Sequence, residues 1–214
     1  MDRNPGQISC SLGHYHIYKI CSLRKYRNVL IIEDDVVFLK DIFKIEEILE
    51  NTPKDEDLVM YTHFTSVADK NSLFSYIQSI KTANENGSRF IRIGETGPDL
   101  GSTGTYSVSE RFATILCGLQ EKYLSFADTI LNHPTAKYKC DSPDFVDEVL
   151  RNTRRCYCST PISLQKYYME SATEKTIDRN TLENLIRGAV WMYRSCGIDI
   201  DQYNGFDEYI KDLI

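Results

Sequence analysis

Three consecutive acids end an otherwise apolar segment near the N-terminus. Glu33, Asp34 and Asp35 follow the apolar run 29–32 in the stretch NVLIIEDDVVFLKD. Alternate side chains of a strand share a face, so we expect Glu33 and Asp35 to project together and Asp34 to point the other way. Two carboxylates at that spacing repel each other, and a divalent cation that prefers oxygen ligands, Mg²⁺ or Mn²⁺, would offset the repulsion. The alternatives are acids that are solvated at a strand end, or an acid that caps the helix starting near Asp41.

The elements around these acids predict a layered α/β fold. Short apolar runs typical of buried strands occupy 29–32, 58–62, 89–93, 105–109 and 155–160. Helical spacing of apolar residues occupies 9–26, 40–50, 71–81, 110–119, 142–150 and most of the last forty residues. Strands that alternate with helices predict a mostly parallel central sheet with helices around it. Ligands of such sheets bind beyond the carboxyl ends of the strands, where we expect the three acids to lie.

Composition narrows the class of protein. The 214 residues are 42% hydrophobic and 26% charged, which is typical of a soluble globular chain. A formal net charge of −6 argues against non-specific nucleic-acid binding. No apolar run approaches the ~18–20 residues of a membrane span, so any membrane association would be peripheral, and we expect a cytoplasmic location.

The cysteines and histidines do not form a recognisable disulfide, zinc or catalytic pattern in the sequence. Seven cysteines without a regular spacing indicate free thiols in a reducing compartment. Cys10 and His14 are one helical turn apart, but no further zinc ligands follow at similar spacing. The pattern favours a packing role for His14 and a plain loop position for His63, since a lone histidine needs a placed partner to do chemistry.

The stretch GQISCSLGHYHIYK, followed about twenty residues later by the acids, resembles glycosyltransferase family 25, the lipooligosaccharide and collagen galactosyltransferase group. That family usually shows G-x-x-G-C-x-x-S-H, then a helix, then an apolar strand that ends in E-D-D. The positions that match are Gly6, Cys10, His14, Glu33, Asp34 and Asp35. Two positions depart from the pattern: Ser9 stands for the usual glycine, and Gly13 stands for the usual serine.

Later stretches follow the same order as in the family. DLVMYT is similar to the strand after the acidic motif, and TYSVSERFATIL and VDEVL…YCSTPISLQ are similar to later elements. The matching positions are Tyr106, Ser109, Ala113, Leu116, Asp147, Pro161 and Gln165. Together these stretches extend the resemblance over residues 6–165.

The resemblance implies a GT-A-like fold, a UDP-sugar donor, a divalent metal and a glycan or glycoconjugate acceptor. Asp35, assisted by Glu33, would hold the metal, and Glu33, Asp34 and Tyr106 would help to bind the donor. The metal would neutralise the charge that develops on the leaving diphosphate. If the reaction inverts the anomeric centre, a carboxylate must take the proton of the acceptor hydroxyl.

The resemblance makes Asp147 the first candidate for that catalytic base, and Asp144, one helical turn earlier, is the second. Acids in the first turn of a helix are also favoured by the helix dipole alone, which is the alternative for both.

The resemblance also raises alternatives. The family begins with a strand and an Arg-containing loop that help to bind the nucleotide, whereas this sequence reaches the Gly-x-Ile-x-Cys element by residue 6. We expect an unpaired sheet edge there, which the apolar stripe within 182–193 would cover unless that stripe simply packs in the core. We therefore expect a glycosyltransferase domain over 1–170 with a helical extension over 171–214.

Two other functions stay open at this stage. One is a non-catalytic glycosyltransferase-like scaffold that binds a glycan or a partner protein. The other is an unrelated metal-dependent phosphohydrolase that uses the same acidic strand end.

Overall fold

Two β-sheets organise the part of the chain that the structure describes. The computed structural model describes residues 5–63, 70–92, 103–123, 153–166 and 179–206, with residues 208 and 211. Its helices are α1 (Pro5–Arg24), α2 (Ile42–Glu50), α3 (Lys70–Glu85), α4 (Glu110–Tyr123), α5 (Arg179–Ser195) and a short 3₁₀ helix (Ile200–Gln202). Its strands are β1 (Asn28–Ile32), β2 (Val36–Phe38), β3 (Leu58–Met60), β4 (Phe90–Arg92), β5 (Thr105–Ser109), β6 (Arg155–Cys158) and β7 (Ser163–Gln165).

The larger sheet has the strand order β1-β5-β3-β6-β4. The α/β class is therefore confirmed, but the prediction of a mostly parallel sheet was wrong. Only β3 and β6 pair in parallel, because β5 returns between β1 and β3 in the opposite direction and β4 runs opposite to β6. Since β1, β3 and β6 still run the same way, their carboxyl ends lie at one edge of the sheet.

A second, smaller sheet lies next to that edge. It pairs β2 with β7 in antiparallel register, with Val36 opposite Gln165. Sequence patterns predicted neither strand. The turn at Asp34 and Asp35 carries the chain from β1 in the first sheet to β2 in the second. The acids therefore lie at the junction of the two sheets.

The core lies between the larger sheet and its helices. Tyr106 and Val108 of β5 are 0% and 1% exposed. Helix α4 packs three fully buried side chains on this core: Phe112, Ala113 and Leu116. Helices α1 and α4 pack against each other beside this face. The described cysteines are all free thiols, and Cys156 and Cys158 are buried in β6.

Strand β1 forms one lateral edge of the larger sheet. Within the described ranges β1 has β5 as its single strand neighbour. Leu30 and Ile32, on the face of β1 away from Ile31, are 39% and 49% exposed. The described part of the C-terminal helix has its main contacts away from this edge, with α3 and the short 3₁₀ helix.

Helix α5 buries one of its faces. Ile186, Ala189, Val190 and Tyr193 are buried, which confirms the described part of the predicted apolar stripe. The Tyr193 hydroxyl donates a hydrogen bond of 2.8 Å to the backbone carbonyl of His63, just after β3. The division into a domain over 1–170 and an extension over 171–214 stays a prediction. Among the described residues, no helix is both long enough and apolar enough to span a membrane.

Candidate functional site

The three acids have three different environments. Glu33 and Asp35 are partly buried, whereas Asp34 is exposed. Strand β1 ends at Ile32, so the acids lie in and beside a turn and not within a regular strand. Glu33 therefore turns towards α1, and Asp35 turns towards β7.

The carboxylate of Glu33 is held by His14 and Thr103. His14 Nε2 lies 3.0 Å from Glu33 Oε1, and the Thr103 hydroxyl donates to the same oxygen. On its other side, His14 Nδ1 lies 2.7 Å from the hydroxyl of Tyr106, which lies 2.8 Å from the hydroxyl of Tyr18. This chain of contacts, here called the His14 network, joins α1 to the ends of β1 and β5.

Charge explains the state of the network. Burial alone would lower the pKa of His14, but hydrogen bonds to Cys10 and Glu33 and the Glu33 charge together raise it to about 9. Burial likewise opposes ionisation of Glu33, yet the hydrogen bonds from His14 and Thr103 and the His14 charge give it a net lowered pKa. Near neutral pH the pair is therefore an imidazolium and a carboxylate, with both ring N–H groups donating.

Asp35 has a different partner and an unused oxygen. Its Oδ2 accepts a hydrogen bond of 2.8 Å from Gln165 Nε2, and its backbone carbonyl accepts one of 2.7 Å from the Lys166 N–H. Its Oδ1 is buried and has no hydrogen-bond partner among the described residues. Burial raises the pKa of Asp35, the Gln165 hydrogen bond opposes that rise, and the negative charges of Glu33 and Asp34 add to it.

The orphan oxygen tests whether a divalent cation suits this position. A buried carboxylate oxygen without a donor is costly, and neighbouring acids make the cost larger. A cation would relieve both terms, so Asp35 fits a metal ligand. Glu33 fits less well, because its Oε1 already accepts from His14 and Thr103. The predicted metal pair of Asp35 and Glu33 stays a prediction.

A second group of metal-binding residue types lies beside the acids. Cys10, His14 and Glu33 offer ligand atoms within 4.8 Å of one another, so the structure supplies a third partner that the spacing of Cys10 and His14 did not reveal. Both ring nitrogens of His14 are already engaged in the His14 network. That network accounts for the cluster without an ion.

Other residues singled out in the sequence have structural surroundings. Tyr106 is 0% exposed and its hydroxyl lies within the His14 network, so its predicted part in donor binding stays a prediction. His63 is also 0% exposed, its Nε2 donates to the Cys158 carbonyl, and burial lowers its pKa to about 4. His63 is therefore a neutral core histidine and not a plain loop residue. The candidate bases Asp147 and Asp144 lie outside the described residues, and their role stays a prediction.

Comparison with protein-family models finds one family that matches this chain. The model of "Glycosyltransferase family 25 (LPS biosynthesis protein)" matches residues 4–131, more than half of the sequence. The chain belongs to glycosyltransferase family 25. No curated protein and no solved structure matches it. Membership of family 25 indicates glycosyltransferase activity and thus a sugar donor and an acceptor.

The family 25 match contains the whole His14 network, which sequence reasoning found only in part. The sequence patterns picked out His14, Glu33 and Tyr106 as separate motif positions. Thr103 and Tyr18 carried no signal, because Thr103 stands in a Gly-rich stretch and Tyr18 reads as one more apolar helix position. Gln165, picked out by its motif, does contact Asp35.

Proposed function

We propose that this family 25 protein is a metal-dependent glycosyltransferase that moves a hexose, galactose by the family resemblance, from a UDP-sugar to a glycan or glycoconjugate acceptor. The observation that carries the proposal is Asp35: a partly buried carboxylate at the shared carboxyl edge of the strands, with one oxygen unpartnered among the described residues. Such a group at such an edge is where α/β proteins bind phosphate-bearing ligands.

Asp35 would hold the cation, and Gln165 would keep its carboxylate in orientation through the 2.8 Å hydrogen bond. The bound cation would supply positive charge next to the diphosphate that leaves the sugar. Asp34 is exposed beside this position and can reach a ribose hydroxyl. Glu33 would act mainly by positioning, since the His14 network holds its Oε1.

The GT-A-like part of the proposal draws on strand direction. β1, β3 and β6 run together and deliver their ends to one edge, although β5 lies antiparallel between two of them. The proposed base, Asp147 or Asp144, would take the proton of the acceptor hydroxyl as the new glycosidic bond forms.

A titration of UDP with and without Mn²⁺ tests the proposal. We expect Mn²⁺-dependent UDP binding in the wild type. We expect at least ~10-fold weaker binding in Asp35→Asn, since a charge-assisted metal contact is worth over ~1.4 kcal/mol. Asp41→Asn is the matched control: it removes an exposed acid six positions away and keeps an N-cap residue type.

Two results would contradict the proposal. A folded wild type without affinity for UDP in Mn²⁺ would favour the non-catalytic scaffold, for which the exposed edge of β1 offers a surface. Release of phosphate from simple phosphate esters, lost in Asp35→Asn, would favour the phosphohydrolase.

A further inference from the structure

The outer face of α5 carries a group of residues that have no part in the proposed metal and donor site at Asp35. A cavity of about 650 Å³ opens there, and the described residues that line it are Arg187, Val190, Trp191, Arg194 and Ser195. Their spacing of three and four places both arginines next to the tryptophan on the helix surface. We call Arg187, Trp191 and Arg194 the α5 site.

The α5 site carries two positive charges. Arg187 and Arg194 are both exposed, and neither has an ion-pair partner among the described residues. Other arginines of the described part, such as Arg89 and Arg154, lie against carboxylates at 2.5 and 2.7 Å. Two exposed guanidinium groups on one helix face, two turns apart with Trp191 between them, favour an anionic ligand on a chain of net charge −6.

The tryptophan adds a flat apolar surface between these charges. Trp191 is 49% exposed, although its neighbours Val190 and Met192 are buried. Tyr193, two positions along the helix, faces the other way and holds the His63 carbonyl next to the sheet edge. The α5 site therefore lies on the side of the helix away from the contact with His63.

These features together match one ligand class. Indole faces stack on the apolar faces of sugar rings as they do on other flat surfaces, and the guanidinium fork binds carboxylate or phosphate in a bidentate manner. A volume of about 650 Å³ lies within the range of small-ligand cavities. We propose that the α5 site binds an anionic saccharide, with a phosphate or carboxylate group held by Arg187 and Arg194 and the ring stacked on Trp191.

The proposal rests on the proposed function in one respect, which is that the bound saccharide would be part of the acceptor. A lipid surface fits less well, because the net charge of −6 would oppose attraction to an anionic membrane.

The experiment uses Trp191 as its own reporter, since it is the single tryptophan of the chain. Its fluorescence is titrated with glucose 6-phosphate, glucuronate, glucose and inorganic phosphate, without donor or metal. We expect a saturable change with at least one anionic sugar and ~10-fold weaker binding of glucose and of inorganic phosphate, because each lacks one of the two contacts. A response to glucose 6-phosphate alone assigns a phosphorylated saccharide, and one to glucuronate alone assigns a uronic acid.

Variants tie the response to the α5 site. Arg187→Gln and Arg194→Gln should each weaken binding ~10-fold, whereas Arg24→Gln, an exposed arginine of α1, should leave it unchanged. Far-UV circular dichroism checks that each variant is folded. Isothermal calorimetry with Trp191→Ala, which removes the reporter, should show the same loss.

Three outcomes would overturn the proposal: no saturable response to either anionic sugar, equal affinity for inorganic phosphate alone, or a response only to vesicles that contain phosphatidylglycerol. The Mn²⁺-dependent UDP titration of the same variants separates the two proposals. Saccharide binding without UDP binding would remove the proposed transferase function and leave the α5 site in place. UDP binding without saccharide binding would remove the α5 site and leave the proposed transferase function in place.

Discussion

Replacement of His14 by glutamine should remove a pH-dependent part of the stability. Glutamine keeps a hydrogen-bonding side chain of similar size but cannot carry the positive charge that faces Glu33. In the folded protein the pKa of His14 rises from 6.5 to about 9, and the side chain is only 7% exposed. A shift of that size corresponds to about 3 kcal/mol of stabilisation of the folded state at full strength.

The sign of the effect follows from the two partners. A raised histidine pKa stabilises the folded state fully below the unfolded value of 6.5, and this stabilisation is lost as the pH rises through about 9. The lowered pKa of Glu33 stabilises the folded state above its ordinary value of 4.5 and less as the pH falls through its folded value. Both partners report the same ion pair, so their contributions are not added. The stabilisation should therefore be largest between pH 4.5 and 6.5.

Urea denaturation followed by far-UV circular dichroism, repeated from pH 5 to pH 10, measures this effect. The free energy of unfolding of wild type should exceed that of His14→Gln by about 3 kcal/mol near pH 6, and the difference should shrink as the pH passes 9. His16→Gln, an exposed histidine two positions along α1, should match wild type at every pH. A difference that stays constant with pH, or grows above pH 9, would refute the assignment of a charged His14 to the network.

Three further predictions concern the backbone. A Cβ added at Gly104 would lie 2.9 Å from Val36 Cγ1 and 3.0 Å from Thr62 Oγ1, so Gly104→Ala should lower the melting temperature and the free energy of unfolding by about 1–3 kcal/mol. Gly13→Ala is the contrasting case: it meets nothing within 4 Å in the middle of α1, so it should stabilise by about 0.5–1 kcal/mol, and destabilisation there would contradict the packing described. Asp41→Ala removes the N-cap of α2, which accepts two backbone N–H bonds, and should cost about 1 kcal/mol in urea denaturation, whereas an unchanged midpoint would show that the cap contributes nothing.

Local patterns predicted most elements but not their arrangement. β1 was evident from its apolar run, and α4 from the spacing of Phe112, Ala113 and Leu116. The direction of β5 was not evident, since a strand reads the same in a parallel and an antiparallel sheet when it is buried on both faces. β2 and β7 are three residues each, and their pairing joins Val36 to Gln165, so nothing local in the sequence indicates it.

Contacts between distant parts of the chain explain what the sequence did not show at the candidate site. The acids and His14 were each visible as motif positions, but the contact of His14 with Tyr106 joins residues 92 positions apart. Nothing local to either residue indicates that their side chains meet. Gln165 was likewise visible as a motif position, but its contact with Asp35, 130 positions away, was not.

The pairing of β2 with β7 determines how long a fragment must be to hold Asp35 in place. The residues matched to the family end at 131, yet the amide that orients Asp35 comes from a strand that begins more than thirty residues later. A fragment cut at the family boundary would lose the strand partner of β2 together with β6, the parallel neighbour of β3. An expression plasmid for this protein should therefore extend beyond Gln165, because a shorter product would lack both the amide that binds Asp35 and the strand that pairs with β2.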